Sequence, residues 1–367
     1  MNTLRKILSP ILFPISLIYG LIIYIRNRFY DYKIFKSNQF NIPLISVGNI
    51  TVGGTGKTPH IEYLINVLKS EFNVATLSRG YKRKSKGFIL SSIESTDREI
   101  GDEPRQIKQK FPEISVAVDA NRTNGINQLI NNTENLDAIL LDDAYQHRKV
   151  HANMSILLID YSRPIDKDFM LPFGDLREQA FEKKRANIII ITKSPKDLKP
   201  IERRIIFNKL EPYPFQHVYF TTFDYGEIKP VYKSLLESNV HNSYNDYEIL
   251  LVTGIANPKP LKDYIVENIS KKIQEIEYSD HYDFKESDFK KIEQSFNSIN
   301  SDKKIIITTE KDAMRLQKFS NIANNLKGSF FYIPIQVEFL NNRTDNFNQQ
   351  IIEYVRKNKK HSFLYPG

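Results

Sequence analysis

One stretch, residues 43–59 with the sequence PLISVGNITVGGTGKTP, constrains the fold of this chain more than any other. Residues 44–47 form a short, largely apolar run with β-branched side chains, which is typical of a buried strand. The run ends in a glycine-rich turn, after which Lys57 and Thr58 lead into a helical pattern, HIEYLINVLKS. Strand, glycine-rich turn, Lys-Thr and helix together form the phosphate-binding loop of nucleotide hydrolases and kinases. The chain is therefore predicted to bind a nucleoside triphosphate.

The chemistry of this loop assigns roles to its residues. Glycine lets the backbone turn its N–H groups towards phosphate oxygens, and the helix N-terminus adds its dipole. Lys57 is expected to reach the β- and γ-phosphates, and the Thr58 hydroxyl to bind Mg²⁺. The predicted nucleotide-binding residues are consecutive in the chain: Thr51, Val52, Gly53, Gly54, Thr55, Gly56, Lys57 and Thr58.

The loop departs from the strict pattern G-x-x-x-x-G-K-[ST] at its first position, where this chain has Thr51. Glycines at 48, 53, 54 and 56 compensate by keeping the backbone permissive. A flexible glycine turn beside a surface lysine is the alternative interpretation. It does not account for the strand before the turn and the helix after it.

Short apolar runs alternate with helical patterns along the first two thirds of the chain. The apolar runs cover residues 73–78, 114–118, 137–141, 154–159 and 188–191, and the helical patterns cover 101–111 and 122–131. This alternation predicts an α/β fold of the phosphate-loop nucleotidase type, with a mostly parallel sheet flanked by helices. In such folds the ligand lies at the carboxyl ends of the strands.

A domain boundary is predicted where the pattern loosens and prolines cluster, at residues 213–232. Further apolar strands follow at 249–252 and 304–307. We expect a membrane-associated segment at 1–35, a nucleotide-binding core at 36–225 and a second, smaller α/β domain at 226–367. A cleft between the two α/β domains is expected to hold the site.

The N-terminal segment is apolar and flanked by basic residues. Residues 7–25 carry no charge, and Arg5, Arg26 and Arg28 lie on either side. A cleaved signal peptide is one alternative, but no small-x-small cleavage site follows, and ATP is absent outside the cytoplasm. A buried core helix is another. We predict a membrane-anchoring helix whose basic flank keeps the rest of the chain on the cytoplasmic side of the inner membrane. Pro14 leaves open whether the helix spans the bilayer.

Composition bounds the partners. The formal net charge is +9 and the chain has no cysteine, which favours anionic partners and excludes disulfides and thiolate metal sites. The basic residues are scattered and no nucleic-acid-binding motif is present, so nucleic acid is not expected as a partner. No obligate protein partner is predicted.

Several charged residues lie where strands or helices meet the predicted ligand edge. Asp142 follows an apolar strand, as expected of a Mg²⁺-binding carboxylate, and Asp143 could share the metal. An aspartate ends many strands, so the assignment depends on Lys57 and Thr58 upstream. Asp102, in the first turn of a helix, and His281 are candidates to deprotonate an attacking hydroxyl. The alternative for Asp102 is that its charge only complements the helix dipole, and the alternative for His281 is that it is an ordinary surface residue.

The motifs of this chain resemble those of a known family, the tetraacyldisaccharide 4'-kinases of lipid A synthesis. The resemblance covers nearly the whole chain and rests on motifs in this order: VGNITVGGTGKTP (47–59), SRGY (78–81), GDEP (101–104), DDAYQHR (142–148), LREQ (176–179), GIANP (254–258), DHYDF (280–284) and TEKDA (309–313). The family usually has DDG where this chain has Asp142-Asp143-Ala144, and LREP where it has LREQ.

The resemblance implies ATP-dependent transfer of a phosphate to the 4'-hydroxyl of a membrane-embedded disaccharide lipid 1-phosphate. It implies that Asp102 is the base, assisted by His281, with Lys57 also catalytic. It further implies that domain closure completes the site. Residues on the substrate side, by the same matching, are Arg79, Tyr81, Glu103, Arg122, Gln146, His147, Arg177 and Glu178.

Two other functions stay open at the level of sequence. A membrane-attached nucleotide switch or assembly factor would hydrolyse ATP or GTP slowly and respond to a protein partner. Thr192-Lys193 and residues 309–312 faintly resemble the base-reading turns of GTPases. A soluble small-molecule kinase would use the N-terminal segment as a core helix.

Overall fold

Two compact units make up the chain in the computed structural model, which describes Arg5 and residues 8–232, 244–280, 282–319 and 322–364. The first unit comprises Met1–Phe223 and Val337–Gly367, and the second comprises Asp224–Gln336. The second unit is therefore inserted in the chain of the first.

A mostly parallel sheet forms the centre of the first unit. Among the described residues it has nine strands in the order β14-β8-β7-β6-β1-β5-β2-β4-β3. The strands are β1 (Leu44–Gly48), β2 (Val74–Ser78), β3 (Ile89–Leu90), β4 (Ser115–Val118), β5 (Ala138–Asp142), β6 (Met154–Asp160), β7 (Ile188–Thr192), β8 (His217–Tyr225) and β14 (Ile335–Phe339). Strands β1, β2, β5 and β7 are buried along their whole length, because helices cover both faces.

The helices of this unit are α1 (Ser9–Asp31), α2 (Lys57–Leu68), α3 (Asp97–Ile100), α4 (Asp102–Lys110), α5 (Arg122–Asn132), α6 (Pro200–Leu210) and α11 (Thr344–Leu364). Helices α2, α4 and α11 contribute Leu64, Ile107 and Phe347 to one core cluster. Helix α5 contributes Ile126 to a different cluster, which also contains residues of β2 and β5. The predicted α/β architecture is confirmed.

The N-terminal helix α1 has an unusual distribution of residue types. It is 23 residues long and continues through Pro14, although proline removes one helical hydrogen bond. Its buried residues are Ser16, Gly20 and Asn27. Its large apolar residues point outward: Ile11 is 63% exposed and Ile18 is 61% exposed. The apolar side of α1 is therefore not part of the core, which excludes the core-helix alternative.

The second unit has its own sheet, which in the described residues has the strand order β11-β10-β12-β13-β9. Its elements are β9 (Lys229–Pro230), β10 (Glu248–Thr253), α7 (Lys259–Asn268), β11 (Ile273–Glu277), α8 (Glu286–Ser298), β12 (Lys304–Thr309), α9 (Glu310–Leu316), α10 (Asn324–Lys327) and β13 (Phe330–Ile333). Strands β10, β11, β12 and β13 are parallel, and two hydrophobic clusters fill the unit.

The position of the C-terminal segment differs from the predicted domain 226–367. Strand β14 is a neighbour of β8, and Phe347, Ile351 and Val355 of α11 are buried in the same cluster as Leu64 of α2. Burial of three large apolar side chains against α2 attaches this segment to the first unit.

Candidate active site

The phosphate loop of residues 49–56 connects β1 to α2. Gly56 caps the helix with a φ of 87°, a left-handed conformation that disfavours a side chain. A Cβ atom on Gly56 would lie 2.5 Å from Cζ of Phe223, so the space beside it is also filled. Gly53 has a φ of 92°. The loop therefore needs glycine at both positions.

Three successive carbonyl groups of the loop are held by side chains outside it. Lys193 donates to the Gly54 carbonyl, and the Thr192 hydroxyl donates to the Thr55 carbonyl at 2.9 Å. His60 Nδ1 lies 2.7 Å from the Gly56 carbonyl, which assigns the hydrogen to Nδ1. With the carbonyls fixed in this way, the loop shape is set before phosphate binds. Thr192 and Lys193 thus contact the phosphate loop itself.

His60 is a site residue that the sequence analysis missed. It is buried, and its Nε2 lies 3.1 Å from Oγ1 of Thr221 on β8. Burial lowers the pKa of His60 from 6.5 to about 4, so the ring is neutral near pH 7. The only sequence signal is its place four residues after Gly56, where a side chain on the helix faces back to that carbonyl.

Lys57 lies among polar partners. Its Nζ is 3.5 Å from Oδ1 of Asp143 and 3.4 Å from Oδ1 of Asn49. Asp143 also accepts from Nη1 of Arg177 at 3.1 Å. The Asp143 carboxylate therefore lies between two cations, and it orients Lys57 at the start of α2. Asp143 has a φ of 48°, so the backbone turns at this residue without the glycine usual one position later.

Asp142 is a buried carboxylate at the end of β5. Its Oδ1 atom is buried and has no hydrogen-bond partner among the described residues. Burial, with the negative charges of Glu103 and Asp143, raises the pKa of Asp142 to about 7. A cation next to this oxygen would reverse that shift.

Arg122 lies behind Asp142 in the interior. Its side chain is buried, and it donates to the backbone carbonyls of Asp119 and, at 3.2 Å, of Asp142. Burial lowers the pKa of Arg122 to about 10, against the opposing effect of Asp142 and Asp143. It contacts the backbone just after β4 and at the end of β5, so its placement suits positioning of Asp142.

The predicted base, Asp102, is the first residue of α4 and follows Gly101, whose φ is 93°. Helix α4 is joined to the phosphate-loop helix by buried polar contacts. Gln106 Nε2 donates to Glu62 at 2.7 Å, and Lys110 is paired with Glu62 at 2.6 Å. The Gln106 contact lies about one turn into each helix and Lys110 is the last residue of α4, so the two contacts hold α4 along its length against α2.

Several basic groups surround His147. Burial and the positive charges of Arg122, Arg79 and Arg26 lower the pKa of His147 to about 4. Arg79 and Tyr81 are exposed, in the segment after β2. A Cβ atom on Gly101 would lie 2.9 Å from the Tyr81 carbonyl, so this segment lies against the residue before Asp102.

Two predicted substrate residues, Gln146 and Glu178, instead contact the protein interior. Gln146 Nε2 donates to the Asn49 carbonyl at 2.9 Å and lies 3.3 Å from Oε2 of Glu178. Glu178 has no exposed surface and is paired with Arg185. His281 lies outside the described residues, so the predicted pairing of Asp102 with His281 stays a prediction.

Comparison with known proteins places the same motifs in a known context. A family model described as "Tetraacyldisaccharide-1-P 4'-kinase" matches residues 8–356. A protein of Phocaeicola vulgatus named "Tetraacyldisaccharide 4'-kinase" is 46% identical over 354 residues, which cover 96% of each chain. A protein of the same name from Bacteroides thetaiotaomicron is 44% identical over 359 residues, or 96% of this chain and 94% of that one.

A solved structure is also similar. The LpxK protein of Aquifex aeolicus, crystallised in complex with ATP, is 26% identical and has a TM-score of 0.72. The match covers 96% of this chain and 100% of that one.

Proposed function

Because the chain belongs to the tetraacyldisaccharide-1-P 4'-kinase family, we propose that it transfers the γ-phosphate of ATP to the 4'-hydroxyl of a tetraacyldisaccharide 1-phosphate, a lipid A precursor. The chain is a kinase, which answers the alternative of a nucleotide switch. The observation that carries the proposal is a polar contact between two helices. Helix α2 begins at Lys57, helix α4 begins at Asp102, and Glu62 of α2 accepts a hydrogen bond from Gln106 of α4.

The phosphate loop is proposed to bind the ATP phosphates through its backbone N–H groups and Lys57. Fixed carbonyls at 54, 55 and 56 support this role, because a preformed loop loses little entropy on binding. Asp143 and Arg177 hold the Lys57 side chain near the loop. Phosphate oxygens would compete with Asp143 for the Lys57 ammonium.

The residues present fit Mg²⁺, because the unpaired Oδ1 of Asp142 is a buried oxygen ligand with a raised pKa. Asp142 and the Thr58 hydroxyl would hold the ion. Asp143 is engaged by two cations and is the less suited ligand. When bound, the ion supplies positive charge to the β- and γ-phosphates.

Asp102 is proposed to accept the proton of the 4'-hydroxyl. The hydroxyl oxygen forms a bond to the γ-phosphorus, the bond from that phosphorus to the β–γ bridging oxygen breaks, and ADP leaves with the electron pair. Asp102 is the first residue of α4, and Glu62 holds this helix through Gln106. His281 is proposed, from the family resemblance alone, to assist Asp102.

The anionic lipid is proposed to bind near Arg79, Tyr81 and His147, whose surroundings are strongly basic. Gln146, Glu178 and Arg122 are proposed to act on the site through other residues, since their contacts are internal. Arg177 is proposed to act through Asp143 and Lys57, and Glu103 to act beside Asp142.

The outward apolar side of α1 supports a proposed location on the cytoplasmic surface of the inner membrane. By length and composition alone this helix is long enough to cross a membrane, which is weak support. Stronger support is that its small and polar residues face the protein while isoleucine and leucine face outward. A lipid acceptor would then meet the site at the surface that holds it.

The test is transfer of label from γ-labelled ATP to purified disaccharide 1-phosphate lipid in mixed micelles. Wild type should yield a labelled, more polar lipid. Lys57→Ala and Asp102→Ala should lower the rate at least about 10²-fold. Label that appears only as free phosphate would contradict the proposed acceptor. An unchanged rate in Asp102→Ala would contradict the proposed base.

A further inference from the structure

Residues 170–179, which we name the bridging segment, bind the middle of α1 on the side that faces the protein. Ser16 donates to the Met170 carbonyl at 2.6 Å, and Tyr19 donates to the Arg177 carbonyl at 3.1 Å. In the opposite direction, Gln179 Nε2 donates to the Gly20 carbonyl at 2.6 Å. Polar groups thus attach the middle of α1 to this segment.

The same bridging segment is hydrogen-bonded to the first half of the phosphate loop. The Val52 amide donates to the Asp175 carbonyl at 2.8 Å, and the Arg177 amide donates to the Ile50 carbonyl at 2.7 Å. Between these bonds Thr51 and Leu176 form an antiparallel bridge. One segment of ten residues therefore contacts both the N-terminal helix and the loop proposed to bind phosphate.

A second connection runs through buried side chains. Asn27 of α1 is fully buried and donates through Nδ2 to Oε1 of Glu178 at 3.1 Å. Gln146 Nε2 lies within 3.3 Å of the other Glu178 oxygen and donates to the Asn49 carbonyl at 2.9 Å. The Asn49 side chain then accepts from Lys57 Nζ at 3.4 Å.

We infer that α1 is a structural part of the nucleotide site, in which Asn27, Glu178 and Gln146 are positioning residues for Asn49 and Lys57. The inference rests on the proposed binding of ATP at residues 51–58. Glu178 is a buried carboxylate whose hydrogen bonds to Asn27 and Gln146 and ion pair with Arg185 hold it in place. Loss of one of these partners leaves a buried charge less well satisfied, so its neighbours shift to restore contact.

This arrangement gives α1 a role that an anchor alone does not have. An anchor needs only the outward apolar side, and any apolar residue would serve at position 27. A fully buried asparagine is costly unless it is hydrogen-bonded, and here the partner of its Nδ2 atom leads to the loop. Because coupling is reciprocal, ATP binding should also hold α1 more firmly on the bridging segment.

The test separates the two sides of α1 in the full-length protein in detergent micelles. Asn27→Leu and Gln146→Met remove the internal hydrogen bonds while keeping side-chain size. Ile18→Ser and Ile22→Ser are matched controls on the outward side, where the residues are 61% and 59% exposed. The Kd for ATP is measured without lipid acceptor, the KM values for ATP and lipid with it, and each variant's melting temperature is recorded.

We expect Asn27→Leu and Gln146→Met to weaken ATP binding and raise the KM for ATP by roughly three- to tenfold, a range typical of coupled networks. The KM for lipid should stay within about twofold, because the contacts lead to the phosphate loop. Both control variants should bind ATP as wild type does and partition less into lipid vesicles.

Wild-type ATP affinity in folded Asn27→Leu and Gln146→Met would overturn the inference. A rise in the KM for lipid alone would overturn it too, and would return Gln146 to the substrate side. If Asn27→Leu does not fold, Gln146→Met decides. If wild type itself binds no ATP, the proposed function fails. That outcome differs from equal ATP binding by wild type and the variants, which overturns only the inference about α1.

Discussion

At the scale of single residues, the Asp142 carboxylate is buried more strongly than the nearby cations Lys57 and Arg122 offset. Asp142 lies at the carboxyl end of β5, is 3% exposed, and has the like charges of Glu103 and Asp143 nearby. A raised pKa means that the ionised carboxylate is less stable in the folded chain than in the unfolded one. Binding of the proposed Mg²⁺ would reverse this cost and would couple folding stability to the metal.

Replacement of Asp142 by asparagine should therefore stabilise the chain while it disables the enzyme. The pKa rises from 3.8 to about 7, so the penalty is absent below pH 3.8 and grows as pH rises through 7. At pH 8 without Mg²⁺, Asp142→Asn should gain about 1–3 kcal/mol of unfolding free energy. The gain should shrink as the pH falls towards 4. Urea unfolding at both pH values measures it.

Asp143→Asn is the control for this prediction, because the Asp143 carboxylate is paired with Lys57 and Arg177. Its replacement should not stabilise the chain. An Asp142→Asn variant that is less stable than wild type at pH 8 in metal-free buffer would contradict the account of Asp142.

His60 should make stability depend on pH in the opposite direction. Its folded pKa of about 4 lies below the unfolded value of 6.5, so stability is present above pH 6.5 and is lost as pH falls through 4. Full loss amounts to about 3 kcal/mol. His60→Gln should remove close to one proton from the slope of unfolding free energy against pH between 4.5 and 6.5.

His151→Gln, at an exposed histidine, is the matched control for the loss of a histidine side chain. His147 and Asp142 titrate in both proteins, so only the difference between wild type and His60→Gln is diagnostic. Equal slopes in wild type and His60→Gln would show that the ring is not held neutral by burial.

At the scale of elements, the strands and helices around the phosphate loop follow from sequence because their signals are local. The run predicted at 44–47 is β1, and the one at 137–141 is β5, shifted by one residue. The contacts of Gln146 with Asn49, of Glu178 with Asn27 and of His60 with Thr221 could not be predicted in this way. The two residues of each pair are far apart in sequence, and side-chain hydrogen bonds over such distances leave no periodic pattern.

The departure of LREQ from the family's LREP acquires a reason at this scale. Gln179 donates to the Gly20 carbonyl inside α1, a bond that a proline side chain cannot make. Ala144 takes the place of the family's glycine, and the left-handed residue of this turn is Asp143. Neither adjustment removes a charged group from the site.

The joint between α2 and α4 predicts a kinetic effect without loss of nucleotide binding. Glu62→Gln gives Gln106 a neutral acceptor in place of a charged one and loses the ion pair with Lys110, so all of α4, including Asp102, should be held less firmly against α2. A misplacement of about 1 Å is enough for a large loss, and we expect kcat to fall about tenfold or more. The KM for ATP should change less than about twofold. Steady-state kinetics with varied ATP measure both.

Lys69→Met is a close control, since Lys69 and Glu113 are paired just beyond the ends of the same two helices but at 35% and 50% side-chain exposure. Exposed pairs contribute little, so its kcat should match wild type. Equal kcat values for Glu62→Gln and wild type would mean that the joint does not position Asp102.

At the scale of the whole molecule, sequence patterns could not predict that the second unit is inserted in the chain of the first. The first stretch of the first unit ends at Phe223, within the proline-rich residues 213–232. The return at Val337 carries no comparable signal. It depends on β14 joining β8 and on α11 packing with α2, and both are contacts between distant parts of the chain.

This insertion predicts which fragments of the chain fold alone. Residues 224–336 have their own sheet and hydrophobic clusters, so a fragment with these ends should unfold cooperatively in urea. A chain that ends at residue 336 should instead lose ATP binding. It lacks Phe347, Ile351 and Val355, whose burial contributes about 1.5–3 kcal/mol each, a sum comparable with the stability of a whole domain. Fluorescence unfolding and ATP titration of both proteins test the pair of expectations. A truncated chain that binds ATP normally would show that α11 is dispensable, and the first unit would then end near Phe223 as a sequence-based boundary suggests.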